Sequence, residues 1–205
     1  MATATAERMP EPERLELRVP LFESAITALD DERRHVVLDL GVVRSGTVSL
    51  LNGLRCRLDV MALTAGAGSG LEGLEPEEFS ALVQAAVPPA GDESVDLVLC
   101  WNLFNYLSID QIGRVVAELT PRCRPGARLH ALIEYSARTM PAAPLSFSPA
   151  GPGTLEAVVT DDEQVPAPRY SARDLEQCMP GFAHERTMLL GGGMQEYLFR
   201  RQQDS

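Results

Sequence analysis

Polar side chains that could take part in chemistry follow three apolar runs of the sequence. They are Asp39 and Gly41 at the end of residues 35–40, Trp101, Asn102 and Asn105 after residues 95–100, and Glu134 after residues 127–133. Short apolar runs rich in β-branched residues are typical of strands buried on both faces of a parallel sheet. Because the carboxyl ends of parallel strands form a crevice at one edge, we expect these side chains to lie around a ligand.

These residue types suit proton transfer and the positioning of a ligand. Glu134 is the best candidate for a general base, although an acid at a strand end is more often simply solvated. Asn102 and Asn105 could orient a ligand, or could cap the turn that follows the strand. Trp101 is the only tryptophan, and it could stack on a ligand ring or cover the edge of the sheet.

Composition excludes several other classes of function. The 205 residues include 18 basic and 29 acidic ones, and every basic residue is an arginine, so chemistry that needs lysine is excluded. The net charge of −11 argues against nucleic acid as a partner, and no apolar run approaches the ~20 residues of a membrane span. Four scattered cysteines predict reduced thiols in the cytoplasm, and three isolated histidines predict no metal site.

Strand and helix patterns alternate along one domain, residues 18–205, after a polar tail over residues 1–17 that we expect to be mobile. Residues 136–169 carry six prolines and predict a long loop or lid inserted into the domain. Residues 184–190 and 194–200 flank three glycines and predict an antiparallel hairpin. The sequence therefore predicts a doubly wound, Rossmann-like α/β fold with a mostly parallel sheet and a C-terminal antiparallel hairpin.

Several segments, in this order, resemble the class I methyltransferases, which use S-adenosylmethionine. They are residues 37–41 (VLDLG), residues 89–102 (PAGDESVDLVLCWN), residues 119–132 (LTPRCRPGARLHAL) and the terminal hairpin. The resemblance implies S-adenosylmethionine as cofactor and a small-molecule or protein side-chain acceptor, with oligomeric state left open. The cofactor contacts that it implies are Asp39, Gly41, Gly46, Asp59, Trp101 and Asn102. Glu134 and Asn105 are the candidate catalytic residues.

The glycine-rich motif departs from the family pattern. Val43 and Ser45 stand where the family has further glycines, and Gly46 comes one residue late. A β-branched side chain at this point brings methyl groups into the space of the cofactor. Two hypotheses therefore stand: an active methyltransferase, or a catalytically silent relative that serves as a binding or assembly subunit. A nicotinamide-dependent oxidoreductase is a distant third, because the Gly-x-Gly-x-x-Gly motif is missing.

Asp59 is the candidate for the acid that binds the ribose of the cofactor. It lies 18 residues after Gly41, close to the spacing of about 20 that such sites use. If the second strand ends at Leu58, Asp59 lies at the carboxyl end of the sheet, which is the arrangement that we favour. If the strand continues to Leu63, Asp59 lies inside it and Ala62 takes the position of the acid.

Overall fold

The chain folds as alternating strands and helices that end in a hairpin. The computed structural model describes residues 14–29, 32–61, 63, 71, 73–88, 93–159 and 163–203. Within them the strands are β1 (Arg14–Arg18), β2 (His35–Asp39), β3 (Cys56–Val60), β4 (Val95–Leu99), β5 (Cys123–Glu134), β6 (Thr139–Pro141), β7 (Ser146–Gly151), β8 (Thr154–Val158), β9 (Gln164–Pro166), β10 (Phe182–Leu189) and β11 (Met194–Arg201). The helices are α1 (Pro20–Thr27), α2 (Ser45–Asn52), α3 (Pro76–Ala86), α4 (Ile109–Leu119) and α5 (Ala172–Cys178), and a 3₁₀ turn covers Leu103–Tyr106.

Six strands form the central sheet, in the order β10-β11-β5-β4-β2-β3. Strands β2, β3, β4 and β5 are parallel, and β11 and β10 continue the sheet as an antiparallel hairpin beside β5. The predicted mostly parallel α/β sheet with its C-terminal hairpin is confirmed.

Helices cover both faces of this sheet, as a doubly wound fold requires. Val37 of β2 packs in one core cluster with α1 and α2, whereas its neighbours Val36 and Leu38 pack in the other with α3, α4 and α5. Every residue of β2 and of β4 is buried, which explains why their sequences are mostly apolar. Across the described residues, no helix is long and apolar enough to cross a membrane.

A buried glutamate holds the N-terminus of α1. Glu196 of β11 accepts hydrogen bonds from the backbone N–H groups of Leu21 at 3.0 Å and Phe22 at 2.6 Å. Nε2 of His130, on β5, lies 2.9 Å from the same carboxylate. The negative charge lies at the positive end of the helix dipole, so the carboxylate both caps α1 and joins it to two strands of the sheet.

The proline-rich insertion forms strands, which corrects the prediction of a long loop. β7 and β8 pair with β1 in the order β1-β8-β7, and β6 pairs with β9. Pro141, Pro149 and Pro166 all lie in edge strands, where the missing N–H interrupts no pairing on the open side. Prolines at such positions are compatible with short strands, although in the sequence they look like loop residues.

The polar N-terminal segment also contributes a strand. Residues 14–17, predicted as the end of a mobile tail, belong to β1, which pairs with β8 from Arg14 and Val158 to Arg18 and Thr154. Residues 1–13 lie outside the described residues. The partner of β1 is more than 130 positions away, so the local sequence carries no sign of the pairing.

Asp96, near the start of β4, is a buried acid with three hydrogen-bond donors. Its side chain is 1% exposed, and it accepts from the backbone N–H of Val36 at 2.8 Å and from the guanidinium groups of Arg33 and Arg124. Burial alone would raise the pKa of Asp96, but these donors outweigh burial and lower it. Ionised Asp96 therefore stabilises the fold above its unfolded pKa of about 3.9, and this contribution is lost as the pH falls through the folded pKa.

We predict that Asp96→Asn lowers the free energy of unfolding by about 1.5–3 kcal/mol at pH 7, the range for hydrogen bonds to charged groups. Denaturant unfolding of both proteins at pH 7 and at about pH 3 measures the effect. The difference between wild type and variant should be smaller at the lower pH, where wild-type Asp96 begins to take up its proton. An equal loss at both pH values would show that the charge is not responsible.

Candidate functional site

A buried carboxylate lies at the carboxyl end of β2, at the predicted crevice. Oδ1 of Asp39 accepts hydrogen bonds from the backbone N–H of Gly41 at 2.8 Å and from Nε1 of Trp101 at 2.6 Å. Oδ2 has no hydrogen-bond partner within the described part of the chain. Burial raises the pKa of Asp39, and the two hydrogen bonds offset only part of the rise. An unpaired buried acceptor costs stability, which is typical of a group that serves a ligand.

The indole of Trp101 fills the space next to Gly41. A Cβ built on Gly41 would lie 2.6 Å from Cδ1 of Trp101, so the glycine is required by the indole. The indole stacks on Phe147, with ring centroids 5.7 Å apart and planes 11° apart, and the ring of Phe22 is centred 5.8 Å away. Trp101 is predicted to stack on a ligand or to cover the sheet edge, and in this structure its indole covers the end of β2 and stacks on Phe147 of the insertion.

The space that remains beside Gly41 is small. The cavity lined by Gly41, Asn102 and the rings of Trp101 and Phe147 has a volume of about 160 Å³. Sites for ligands of drug size measure about 300–1,000 Å³. S-adenosylmethionine therefore does not fit while the indole is in place, although the polar groups at the end of β2 suit it. Val43, where the sequence predicts an obstruction, does not line this cavity, whereas Val42, which is half exposed, does.

Gly46, in the first turn of α2, makes room for the insertion. A Cβ on Gly46 would lie 2.6 Å from the carbonyl oxygen of Pro149 in β7. Nε of Arg44 donates a hydrogen bond to Oγ of Ser146 on the same strand. β7 thus covers the connection between β2 and α2 at a position predicted to bind cofactor. The next residue, Thr47, is buried, and its hydroxyl has no hydrogen-bond partner among the described residues.

Asp59 lies inside β3, which continues one residue beyond it, so the favoured prediction that this strand ends at Leu58 is wrong. Its carboxylate makes two hydrogen bonds of 3.0 Å with the guanidinium group of Arg57. The charge is tolerated there because β3 is an edge strand and the Asp59 side chain is 22% exposed. The structure does not bring Asp59 to the cavity beside Gly41. Ala62, the alternative position, lies outside the described residues.

Asn105 connects the 3₁₀ turn to β5. Its Nδ2 donates to the carbonyl oxygens of Asn102 at 3.1 Å and Leu132 at 3.0 Å, and its Oδ1 accepts from the backbone N–H of Glu134 at 2.9 Å. The amide is fully used by the backbone, so Asn105 is a positioning residue in this structure. Asn102 is also buried, and its side chain is hydrogen-bonded to Tyr106.

Glu134 ends β5 in a nearly buried position. Burial raises the pKa of Glu134, which moves it towards the neutral range in which a general base works best. The pKa of Tyr106 is raised mainly by burial and further by the charge of Glu134. The phenol oxygen of Tyr106 lies 2.9 Å from the carbonyl oxygens of Pro141 and Ala143, to which it donates. Tyr106 thereby ties the turn after β4 to the insertion.

A larger cavity, with a volume of about 880 Å³, opens beside the 3₁₀ turn. It lies between α3, α4 and the β6–β9 pair, and its size suits a small-molecule ligand. Its lining is mixed. The apolar and aromatic part includes Leu74, Phe79, Tyr106, Met140, Val165 and Tyr170, and the polar and charged part includes Ser108, Asp110, Gln111, Arg114 and Glu163.

Sequence reasoning missed this cavity. Tyr106 reads as a core residue, yet its side chain lines the cavity. Met140 and Val165 come from the insertion, where no local pattern marks a binding residue. The insertion begins directly after Glu134, at the end of β5. This position is the one signal in the sequence that could have placed the insertion, and with it the cavity, beside the crevice.

Other kinds of reactive centre find no support in the described residues. They contain no group of three or more His, Cys, Asp or Glu that could hold a metal ion. All four cysteines are free. Burial raises the pKa of Cys123 to about 12 and that of Cys178 to about 11, so these two thiols stay protonated at neutral pH.

We predict that Asp39→Asn is at least as stable as wild type at pH 7. The amide oxygen can keep both hydrogen bonds, while the variant removes a carboxyl group whose folded pKa is raised. A raised pKa means that stability is lost as the pH rises above the unfolded value of about 3.9, so any advantage of the variant should vanish below about pH 4. Denaturant unfolding across this pH range measures it.

Asp39→Leu is the matched control, because leucine cannot accept the two hydrogen bonds. Two buried donors then lose their partner, and we expect a loss of about 1–3 kcal/mol. If Asp39→Asn is destabilised as strongly as Asp39→Leu, the ionised carboxylate is required for folding and our account of it is wrong.

We predict that Gly46→Ala lowers the free energy of unfolding by about 1–3 kcal/mol, because the added carbon collides with the backbone of β7. Gly53→Ala is the control: its Cβ would meet only the carbonyl oxygen of Leu50 at 3.8 Å. That variant should change stability by no more than about 0.5 kcal/mol. Thermal and denaturant unfolding compare the two, and similar losses in both would argue against the contact with β7.

No protein-family model matches the sequence, and no curated protein matches it. Solved structures do share its fold. A putative type 11 methyltransferase from Sulfolobus solfataricus is similar with a TM-score of 0.52 and 12% identity, over 92% of this chain and 95% of that one.

Two further structures were crystallised with S-adenosylhomocysteine. The 1,6-didemethyltoxoflavin-N1-methyltransferase of Burkholderia thailandensis has a TM-score of 0.49 and 18% identity, over 88% of this chain and 77% of that one. The N-methyltransferase NodS of Bradyrhizobium japonicum has a TM-score of 0.46 and 12% identity, over 89% of this chain and 87% of that one. The strand order and the similarity to the Sulfolobus structure show that this chain has the fold of the class I methyltransferases.

Proposed function

We propose that this protein transfers a methyl group from S-adenosylmethionine to a small, uncharged acceptor. The observation that carries the proposal is the cavity of about 880 Å³ beside the turn after β4, in a class I methyltransferase fold. Ligands of such sheets bind outside the carboxyl ends of the strands, where this cavity and Asp39 both lie. The four free cysteines favour the cytoplasm as its location.

Residues at the end of β2 have the chemistry to hold the cofactor, which supplies a methyl group activated by a sulfonium. Oδ2 of Asp39 is free to accept a hydrogen bond from an ammonium or hydroxyl group. The unpartnered hydroxyl of Thr47 and the close backbone approach at Gly41 support the same assignment. The indole of Trp101 has to leave this space before the cofactor can enter.

The walls of the large cavity favour an acceptor without formal charge. Asp110 and Arg114, which both line it, pair with each other at 2.7 Å. Gln111 is occupied by the capping box with Ser108 and by the carbonyl oxygen of Leu71. Because these polar groups already have partners, an acceptor gains most by packing on the aromatic walls. A protein side chain is the competing class of acceptor.

Glu134 is the residue that we propose as general base, for acceptors whose attacking atom carries a proton. Its raised pKa favours proton uptake, and its backbone is held by Asn105. Tyr106 lies close to Glu134 and also lines the large cavity. For an acceptor atom that carries no proton, positioning beside the cofactor is sufficient.

Calorimetric titration with S-adenosylhomocysteine tests the cofactor part of the proposal. We expect binding by the wild type and binding weaker by about tenfold or more in Asp39→Asn, because a charge-assisted hydrogen bond is lost. Glu185→Gln is the control: Glu185 of β10 pairs with Arg128 at 3.0 Å and lines neither cavity, so the variant should leave affinity unchanged. Absence of heat in the wild type at millimolar ligand refutes the proposal.

A turnover assay addresses the acceptor. Formation of S-adenosylhomocysteine is followed with a panel of neutral aromatic compounds, their charged analogues, and unfolded protein substrates. We expect turnover with neutral compounds alone, and turnover confined to proteins would contradict the assignment of the acceptor.

A further inference from the structure

We infer that Trp101 is a gate of the cofactor space: its indole occupies the place of the cofactor and turns away when the cofactor binds. The inference rests on the proposed function and deepens it. It resolves the conflict between polar groups that suit S-adenosylmethionine and a space of about 160 Å³ that does not.

The indole takes the two contacts that a cofactor needs at the end of β2. Its Nε1 donates to Asp39, the carboxylate whose other oxygen is unpartnered. Its edge lies against Gly41, at the point where the fold allows a ligand to approach the backbone. Indole and cofactor therefore compete for one carboxylate and one glycine, and both cannot be bound together.

The backbone of Trp101 is fixed, whereas its side chain borders the small cavity. The carbonyl oxygen of Trp101 accepts a hydrogen bond from the N–H of Leu132 at 2.7 Å, which ties it to β5. The cavity lined by Trp101 and by residues 143–147 borders the indole. Displacement of the indole would therefore add its own volume to this cavity without a change in the sheet.

The backbone at Trp101 is strained. Trp101 has a φ of 49°, in the left-handed region that bulky residues rarely adopt. Such outliers persist where the surroundings hold them, and they concentrate at functional sites and switch regions. Here the surroundings are the hydrogen bond to Asp39 and the stack on Phe147.

The insertion supplies the closing contact. Phe147 is part of β7, which is attached to the β2–α2 connection by the hydrogen bond between Arg44 and Ser146. Phe147 is itself 3% exposed, so the stack is a packed contact that keeps the indole over Gly41. Weakening this stack should raise the population of the open state. The apparent affinity for cofactor rises in proportion to that population.

The single tryptophan makes the gate directly measurable. We expect titration of the wild type with S-adenosylhomocysteine to shift Trp101 emission to longer wavelength, because the indole leaves a buried stack. The midpoint of the shift should match the dissociation constant from calorimetry. Binding that leaves the emission unchanged would overturn the gate and leave the proposed function intact.

Substitution of Trp101 tests the competition. Trp101→Gly removes the indole and also suits the positive φ, and we expect it to bind S-adenosylhomocysteine about tenfold more tightly or better. Trp101→Phe keeps a ring in the space and should bind more weakly than Trp101→Gly. Weaker binding by Trp101→Gly than by the wild type would mean that the indole helps to hold the cofactor, and would overturn the inference.

Phe147→Leu is a second variant that keeps the tryptophan. Its emission without ligand should already be shifted towards the ligand-bound value, and its affinity should be higher than that of the wild type. Emission and affinity equal to those of the wild type would contradict the role of the stack. If neither the wild type nor any of these variants binds S-adenosylhomocysteine, the proposed function fails and the gate fails with it.

Discussion

The hydrogen bonds of the Asp39 carboxylate organise the carboxyl edge of the sheet. One oxygen joins three pieces of chain: the end of β2, the backbone of Gly41 and the indole that follows β4. The contact brings the two central parallel strands to a common end point, which is where ligands bind in this class of fold. Removal from water makes the carboxylate costly, and its second oxygen is unpaired among the described residues. A buried carboxylate that lowers the stability of the fold can be explained at this position if the carboxylate binds a ligand.

The central sheet was predictable because its signals are local. The buried runs of β2 and β4 and the three glycines before β11 each report on their own neighbourhood. The surroundings of the site were not predictable, since they depend on contacts between distant segments. Asp59 is an example: its spacing from Gly41 suits a ribose ligand, but the strand runs past it and Arg57 pairs with it. Spacing along the chain does not determine where a strand stops.

The strands of the insertion could also not be predicted from the local sequence. Its prolines suggest a loop when read one by one, yet each is compatible with an edge strand. β7 and β8 acquire a third strand from β1, more than 130 residues earlier in the chain. The result is a small sheet that lies over the β2–α2 connection and supplies Phe147 to the site. The degenerate glycine motif is related to this cover, because Gly46 accommodates Pro149 of the chain itself.

The capping of α1 by Glu196 has a consequence for biosynthesis. α1 is synthesised well before β11, and the carboxylate that satisfies its leading N–H groups belongs to Glu196 of β11, 175 positions after Leu21. Until β11 has been translated and inserted beside β5, the helix lacks its cap and the face of the sheet that it covers stays open. The N-terminus of α1 therefore cannot be capped until β11 has been synthesised, so this domain completes its folding only after that strand has been made.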